Sequence, residues 1–125
     1  MKNSGKIGAF STVLMFAGLV ASVGHAQDAE HGKNVFKACA ACHAIDHANR
    51  VGPGLEGIVG RTAGTTPGFR YSDAMKNSGI VWDATSVNAF LESPQKAVPG
   101  NRMPYAGLKD ATDRADVIGY LSTLK

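Results

Sequence analysis

The chain has 125 residues, of which 44% are hydrophobic, 18% charged and 7% aromatic. This composition excludes a disordered chain and a collagen-like repeat. The 13 basic and 10 acidic residues give a formal charge of +3, too mild and too scattered for a nucleic-acid-binding protein. Two cysteines are too few for a disulfide scaffold. We therefore expect one small globular domain.

Residues 1–26 have the layout of a secretory signal peptide. Lys2 and Lys6 give a positive start, residues 7–23 are apolar or small, and a small-x-small sequence precedes the expected cleavage site. The alternative is an uncleaved membrane anchor, because about 17 apolar or small residues approach the minimum for a spanning helix. We favour cleavage, which predicts a periplasmic domain of residues 27–125. Removing two lysines from the 13 basic residues leaves 11 against 10 acidic ones, so this domain is nearly neutral.

The first helical pattern follows the expected cleavage site. Asp28 is a candidate N-cap. Val35, Phe36 and Cys39 fall on one face of the helix that follows. Gly32 lies on the same side, where a glycine costs up to about 1 kcal/mol relative to alanine. It indicates either the close approach of another backbone or a tolerated glycine near a frayed helix end.

Three more helices are expected further along the chain. One begins near Thr85 and ends before Pro94, whose ring disfavours helical geometry in the preceding residue. Another begins with Thr112 as its N-cap and runs to the end of the chain. Residues 72–78 add a short helix closed by Gly79. No segment alternates with period two, so the sequence predicts an all-α fold.

Residues 51–71 are rich in glycine and proline, and no helix or strand is expected there. A loop of about 20 residues is unusual in a compact domain and needs something to wrap around. A domain of this length also has a core that gives only modest stability. Both observations indicate that a further group completes the core.

The chemical signal of the sequence is Cys39-Ala-Ala-Cys42-His43. In a C-x-x-C-H motif each thiol can form a thioether to a haem vinyl group, and the adjacent histidine becomes an axial ligand of the iron. A redox-active disulfide would instead need a preceding strand in a βαβ context. A structural zinc site needs four ligands, and beyond the cysteines the mature chain offers only His31, His43 and His47. We therefore predict one covalent haem c with its iron.

The second axial position of the iron must be filled by a side chain, hydrated or left open. Met75 and Met103 are the thioether candidates of the mature chain. Met103 lies in a loop stiffened by two prolines, which lower the entropy cost of presenting one side chain, whereas Met75 belongs to the short helix. His47 is only four residues beyond His43, and His31 lies about 12 Å along a helix from the motif. We predict Met103 as the second ligand.

Several short motifs in a fixed order carry a family resemblance. They are Cys39-Ala-Ala-Cys-His43, Val51-Gly-Pro-Gly-Leu55, Gly60-Arg61, Pro67-Gly-Phe-Arg-Tyr71, Gly79-Ile-Val-Trp82, Pro99-Gly-Asn-Arg-Met103 and Ala106-Gly107. Together they resemble class I cytochromes c, both the mitochondrial type and its periplasmic bacterial relatives, over nearly all of residues 32–121. The resemblance implies the class I cytochrome c fold, in which helices and glycine-rich loops surround one covalent haem.

The resemblance also implies roles for residues around the haem. Pro53 takes the position whose carbonyl accepts the other ring N–H of the histidine ligand. Tyr71 and Trp82 take positions that hydrogen-bond a haem propionate, and Arg61 takes one that supports the same region, because a buried carboxylate needs donors. The contact between the terminal helices of the family is matched by Gly32, Phe36 and Tyr120.

The chain departs from the family at three positions near the haem. Phe90 stands where mitochondrial members carry a tyrosine, so it cannot donate a hydrogen bond to the methionine sulfur. Asn101 stands where a threonine usually contacts a propionate, and Met75 stands where an asparagine usually joins a buried polar network. We therefore expect the thioether ligation to be tuned differently here.

Ligation by histidine and methionine leaves no open iron position for a substrate, so we expect one-electron transfer and no enzymatic activity. The expected partners are redox proteins, such as a cytochrome bc1-type complex of a respiratory chain, a terminal oxidase, a dehydrogenase or a reductase. We expect a monomer that contacts membranes only through these partners and binds no nucleic acid. The alternatives are a haem protein dedicated to one enzyme, and a peroxidase or ligand sensor, which requires Met103 to be readily displaced.

Overall fold

The computed structural model describes residues 26–125, so the expected signal peptide, apart from Ala26, lies outside the described residues. Five helices are present in this part of the chain: α1 (Ala29–Phe36), α2 (Asp73–Lys76), α3 (Ala84–Glu92), α4 (Pro94–Ala97) and α5 (Ala111–Leu121). Within residues 26–125 the only β pairing is an isolated antiparallel bridge between Thr62 and Val81. None of the helices in this range is long and apolar enough to cross a membrane. The predicted all-α fold is confirmed.

Helix α1 begins where the sequence predicts. The Asp28 carboxylate caps it by accepting hydrogen bonds from the backbone N–H groups of Glu30 and His31, at 3.0 Å each. The helix ends at Phe36, so Cys39 lies in the turns that follow rather than on the helix itself. The N–H of Cys39 donates to the Phe36 carbonyl at 2.7 Å, which begins the tight turns of the C-x-x-C-H segment.

The N-cap of α5 is Asp110, and the prediction of Thr112 was wrong. The Asp110 carboxylate accepts a hydrogen bond from the N–H of Asp113 at 2.9 Å. Both residue types cap helices well, and aspartate ranks slightly above threonine, so the helix begins at the earlier of the two. Helix α5 ends at Leu121 rather than at the chain end, and residues 122–125 continue beyond it.

Helices α1 and α5 pack with their backbones in close contact. A Cβ atom at Gly32 would overlap the carbonyl group of Asp116, so only glycine allows this approach. One turn away, the rings of Phe36 and Tyr120 meet with their centroids 5.3 Å apart. The contact implied by the family resemblance is present, and it supplies the reason for a glycine inside α1.

Helix α3 begins one residue before the predicted Thr85. Its N-cap is a reciprocal capping box, in which Asp83 and Ser86 each accept a hydrogen bond from the backbone N–H of the other, at 2.8 and 2.9 Å. It ends at Glu92, before Pro94, as expected. The sequence analysis did not predict α4, which starts at Pro94. A proline ends one helix but also suits the first position of the next, because its φ angle is already helical.

The glycine-rich stretch of residues 51–71 is an ordered loop. Two backbone hydrogen bonds tie its middle to the segment before α3, since Gly60 donates to the Trp82 carbonyl at 2.7 Å and Trp82 donates to the Arg61 carbonyl at 2.9 Å. The short helix α2 follows, and the Ser72 hydroxyl caps it. The loop and α2 both contribute to the walls of one cavity.

Candidate haem site

The helices and the 51–71 loop surround a cavity of about 410 Å³. Most of its walls are apolar, with side chains from α1, α3, α5 and the loops. The apolar lining includes Phe36, Leu55, Ile58, Val87, Leu91, Val117 and Leu121. Protein interiors are close-packed, so apolar walls around a space of this size indicate a bound apolar group.

Both cysteines line the cavity, and neither is in a disulfide bond. The N–H groups of Cys42 and His43 both donate to the Cys39 carbonyl at 3.0 Å, which coils the segment into a turn. Burial, together with the neighbouring Cys42, raises the pKa of the Cys39 thiol. A redox-active disulfide relies on a lowered thiol pKa, so the geometry disfavours that alternative. Within residues 26–125, no three or more His, Cys, Asp or Glu side chains form a group that could hold a metal ion.

His43 lines the cavity with one ring nitrogen already engaged. Its Nδ1 lies 2.8 Å from the carbonyl oxygen of Pro53, which can only accept, so Nδ1 carries the proton and Nε2 keeps a free lone pair. Burial lowers the pKa of His43, with the Pro53 carbonyl opposing it, and this favours the neutral ring that binds metals. Gly52 lies against the ring, since a Cβ atom there would be 2.7 Å from Nδ1. His43 is therefore held in one orientation.

Met103 lines the cavity from the loop that follows α4. Its backbone N–H donates to the side-chain oxygen of Asn101 at 2.9 Å. The amide nitrogen of Asn101 donates to the carbonyls of Pro94 and Val98, at 2.8 Å each. Asn101 is only 7% exposed, and both of its N–H groups are used within the loop. It therefore fixes the loop that carries Met103 and has no donor left for a propionate.

Met75 and Phe90 also line the cavity, and both are buried. Met75 lies on α2, where its N–H donates to the Ser72 hydroxyl at 3.1 Å. The ring of Phe90 meets that of Trp82 edge-on, with centroids 5.1 Å apart. The structure thus brings both candidate thioethers to one cavity, Met75 from a helix and Met103 from a loop.

Several hydrogen-bond donors in the walls have no acceptor in the described part of the chain, and two of them belong to Trp82 and Tyr71. Trp82 is 7% exposed, yet its indole N–H makes no hydrogen bond within residues 26–125. Tyr71 lines the same cavity, and its hydroxyl has no partner there either. No fully buried polar side-chain atom in this range lacks a partner, so the Trp82 indole nitrogen keeps some accessible surface. Because buried donors are normally satisfied, both groups are available to an acceptor inside it.

Arg61, unlike the other predicted site residues, does not line the cavity. Its guanidinium donates to the carbonyls of Gly54, at 3.3 Å, and Glu56, and to the hydroxyl of Thr66. Three of its five N–H groups therefore hold the glycine-rich loop together. The structure therefore places Arg61 in the loop behind the cavity wall.

The two histidines that were set aside from the sequence lie outside the cavity. His31 Nδ1 is 2.9 Å from the carboxylate of Asp116, between α1 and α5. His47 Nε2 is 3.6 Å from the carboxylate of Glu56 on the surface. Each is engaged away from the space that a haem would occupy.

The lining contains four polar residues that the sequence analysis did not assign to the site, Arg70, Ser72, Arg102 and Tyr105. The two arginines lie within motifs that carry the family resemblance, but nothing in the sequence gives them a role at the haem. Together the donors of the cavity fit a haem. Thiols are present for its vinyl groups, a nitrogen and a thioether sulfur for its iron, and N–H and O–H groups for its carboxylates.

Known proteins agree with this assignment. The sequence model of the family described as Cytochrome c matches residues 29–125. Cytochrome c of Euglena viridis is 51% identical over 100 residues, 78% of this chain and 98% of that protein. Cytochrome c2 of Rhodomicrobium vannielii is 48% identical over 105 residues, 82% of this chain and 84% of that protein. The structure of cytochrome cH from Methylobacterium extorquens aligns with a TM-score of 0.75 and 42% identity, covering 77% of this chain and 98% of that one. The chain therefore belongs to the cytochrome c family, whose members are electron carriers with a covalently bound c-type haem.

Proposed function

We propose that this protein carries single electrons between redox proteins in the periplasm, through a haem c bound to Cys39 and Cys42, with His43 and Met103 as axial ligands. The observation that carries the proposal is the convergence of these four side chains on one apolar cavity. When bound, the haem iron supplies a one-electron redox couple. The chain has to hold that group, fix its ligands and keep water away.

The C-x-x-C-H segment supports the first two tasks. Its cysteines and His43 follow one another in consecutive turns, so the covalent anchor and the axial nitrogen belong to one rigid unit. The carbonyl of Pro53 accepts the Nδ1–H of His43, which fixes the orientation of the ring and raises its basicity. This part of the site needs no rearrangement to present Nε2.

Met103 is favoured over Met75 as the second axial ligand. It lies on a loop that Asn101 holds by three hydrogen bonds, so its side chain is presented at low entropic cost. Met75 is part of the buried apolar cluster, where methionine commonly fills space. A thioether ligand raises the reduction potential, and two occupied axial positions leave no place for a substrate. Both properties favour electron transfer over peroxide or oxygen chemistry.

The proposed location and partners are supported by the sequence and by the similar proteins. The signal-peptide pattern of residues 1–26 favours export, and bacterial cytochromes c2 and cH are among the similar proteins. The partners that we propose are a cytochrome bc1-type complex, a terminal oxidase, a dehydrogenase or a reductase, each approached by a monomer.

The surface charges indicate a weak electrostatic encounter with these partners. The basic residues kept in the region that docks in mitochondrial cytochrome c are Lys33, Lys37, Lys96, Arg102 and Lys109, all exposed. Ala38, Gln95 and Asp110 stand where basic residues are frequent. Because salt screens fewer exposed charges here, we expect the rate of electron transfer to a redox partner to be nearly constant as ionic strength rises. A steep fall of this rate would contradict the expectation.

The ligand assignment is tested with a matched pair of variants, Met103→Ala and Met75→Leu, produced with a c-type haem maturation system. The readout is the weak charge-transfer band between ferric iron and methionine sulfur in the optical spectrum. We expect the band in the wild type and in Met75→Leu, and its loss in Met103→Ala with the haem still attached. Loss of the band only in Met75→Leu would assign the axial ligand to Met75 instead. Absence of the band from the wild type would mean that the second axial position is open or otherwise filled, and it would favour a peroxidase or sensor.

A further inference from the structure

The cavity walls carry positive charge and no acidic side chain. Among the described residues that line it, Arg70 and Arg102 are permanently charged, and none is an aspartate or a glutamate. A haem carries carboxylates on its propionate side chains. Because a carboxylate out of water is costly without a partner, the walls have to supply donors or cations for these groups.

Two residues near this region are already committed elsewhere. Asn101 donates both amide N–H groups to carbonyls of its own loop. Arg61 lies outside the lining, and its guanidinium holds the glycine-rich loop. The groups that remain uncommitted in the walls include the hydroxyls of Tyr71 and Tyr105, the Trp82 indole N–H and the guanidiniums of the two arginines.

Of the two arginines in the lining, Arg70 is the one without an acidic neighbour. Arg102 lies close enough to Asp73 to help Lys76 lower the pKa of that carboxyl, so acidic charge already faces it. Arg70 forms no hydrogen bond and no ion pair with the part of the chain that the structure describes. It is also the residue next to Tyr71, and both line the cavity.

We propose that Arg70 is a positioning residue for the haem, and that its guanidinium pairs with a propionate carboxylate in the region of Tyr71 and Trp82. The inference rests on the proposed function, since it requires a bound haem. A guanidinium offers two parallel N–H groups that match the two oxygens of a carboxylate. The other charged groups nearby are Arg102 and the Asp73–Lys76 pair of α2, whose atoms are 2.8 Å apart.

The pairing has a consequence for the redox couple. A cation held against a carboxylate keeps that group ionised to lower pH. The charge near the iron then stays constant over a wider pH range, and so does the reduction potential. Arg70 thereby acts on the potential through the haem carboxylate, without contact with the iron.

The test compares wild-type holoprotein with Arg70→Gln, Arg70→Lys and Arg50→Gln. Arg50 is exposed, as Arg70 is, but it lies outside the lining and donates one hydrogen bond, to the Ala40 carbonyl at 3.3 Å. Its variant therefore removes the same charge from another place. Spectroelectrochemical titration gives the midpoint potential as a function of pH. We expect the acidic inflection of this curve to move to higher pH by about 1 unit or more in Arg70→Gln. In Arg70→Lys and Arg50→Gln we expect it to stay close to the wild-type position.

Redox-difference infrared spectroscopy gives a second readout. Arg70→Lys keeps the charge but replaces the guanidinium by an ammonium, so the carboxylate stretching band of the haem should shift. This readout decides the question even if Arg70→Gln yields no holoprotein. Equal inflections in Arg70→Gln and Arg50→Gln, or an unchanged band in Arg70→Lys, would overturn the proposal. If those results came with an attached haem and a reversible couple, the electron-carrier function would stand.

Discussion

The ring of His43 is confined on two sides, by the Pro53 carbonyl and by Gly52. Gly52→Ala would place a methyl group 2.7 Å from Nδ1, so we expect the hydrogen bond to Pro53 to lengthen or break. A proton that has lost its hydrogen-bond acceptor is more open to solvent. We therefore expect the Nδ1 proton of His43 to exchange with solvent faster than in the wild type, as measured by NMR of the ¹⁵N-labelled holoprotein.

Val51→Ala is the matched control for this variant. Val51 precedes Gly52 and is 73% exposed, so its truncation changes the same loop without changing the contact with the ring. The exchange rate in Val51→Ala should equal that of the wild type. An unchanged rate in Gly52→Ala would show that the ring can move aside, and it would remove the reason given for a glycine at that position.

Individual site residues are predictable from sequence where the chemistry lies in consecutive positions. Cys39 and His43 are of this kind, because the spacing of the C-x-x-C-H motif predicts both the thioether bonds to a haem and the axial ligand of its iron. Asn101 and Arg61 are different, since their hydrogen-bond partners are backbone carbonyls whose positions depend on the folded loops. Arg70 lies within a motif of the family resemblance, but only the folded structure shows that it lines the cavity.

At the scale of elements, the contact between α1 and α5 depends on Gly32. A Cβ atom there would overlap the backbone carbonyl of Asp116, which cannot rotate away as a side chain can. We therefore expect Gly32→Ala to lower the free energy of unfolding by about 1–3 kcal/mol, although alanine favours the helix. Chemical denaturation of the holoprotein measures this change.

Gly119→Ala on α5 is the control for the Gly32 variant. A Cβ atom at Gly119 would lie 3.0 Å from the Cβ atom of Gln27, an exposed residue ahead of α1 that has to move by only a few tenths of an ångström. We expect this variant to be neutral or more stable, because alanine in a helix gains up to about 1 kcal/mol over glycine. If both glycine variants behaved alike, backbone contact would not be what requires Gly32.

The same two helices are joined by a polar cluster beside Gly32. The Asp116 carboxylate, which is 2% exposed, accepts hydrogen bonds from the backbone N–H of Asp28 at 2.8 Å and from His31 Nδ1 at 2.9 Å. His31 Nε2 is 3.7 Å from the carboxylate of Asp113. The hydrogen bond to Asp116, helped by the neighbouring acidic charges against a smaller effect of desolvation, raises the pKa of His31 above its ordinary value of 6.5.

The raised pKa of His31 predicts how stability varies with pH. The folded protein binds the His31 proton more tightly than the unfolded chain does, so the stabilisation is complete below about pH 6.5. It is lost as the pH rises through the folded-state pKa. We expect the melting temperature of the wild type to exceed that of His31→Gln at about pH 6, and the difference to shrink towards about pH 9. A pH-independent difference would contradict this, and His47→Gln, which changes an exposed histidine elsewhere, is the control.

Elements with periodic apolar residues and clear caps are predictable, and short ones are not. Asp28 begins α1 as the sequence indicates, because the side-chain cap and the apolar face agree. At α5, Asp110 and Thr112 are both suitable N-caps. The sequence alone therefore does not decide between two helix starts that are two residues apart. Helix α4 has four residues and no capping hydrogen bond, and it forms where the chain must turn between α3 and the Met103 loop.

At the scale of the whole molecule, the bound haem is part of the core. Closed cavities destabilise proteins by about 24 cal/mol per Å³, so the 410 Å³ cavity corresponds to roughly 10 kcal/mol at most. Domains are typically stable by only about 5–15 kcal/mol. Water entering the open cavity reduces this cost, but the remainder is large beside a stability of that size, so the chain without its haem is much less stable than the holoprotein.

We therefore expect the variant with both Cys39→Ala and Cys42→Ala to be largely unfolded. Far-ultraviolet circular dichroism should show little helix and no cooperative thermal transition. The matched control changes the two residues between the cysteines, Ala40→Ser and Ala41→Ser, and keeps the thiols. It should attach haem and melt cooperatively like the wild type. Cooperative melting of the cysteine variant without haem would show that the chain has a sufficient core of its own.

The contact between α1 and α5 joins positions far apart in the sequence, since Asp28 and Asp116 bond across 88 residues. Closing a loop of this length costs about 4 kcal/mol of chain entropy, which is offset only once both helices exist. Within the described residues α5 is the only helix with which α1 makes extensive contact. The segment with Cys39 and Cys42 therefore lacks its final support until α1 and α5 have met. Because this contact joins distant parts of the chain, both thiols stay accessible for haem attachment while the chain is still unfolded.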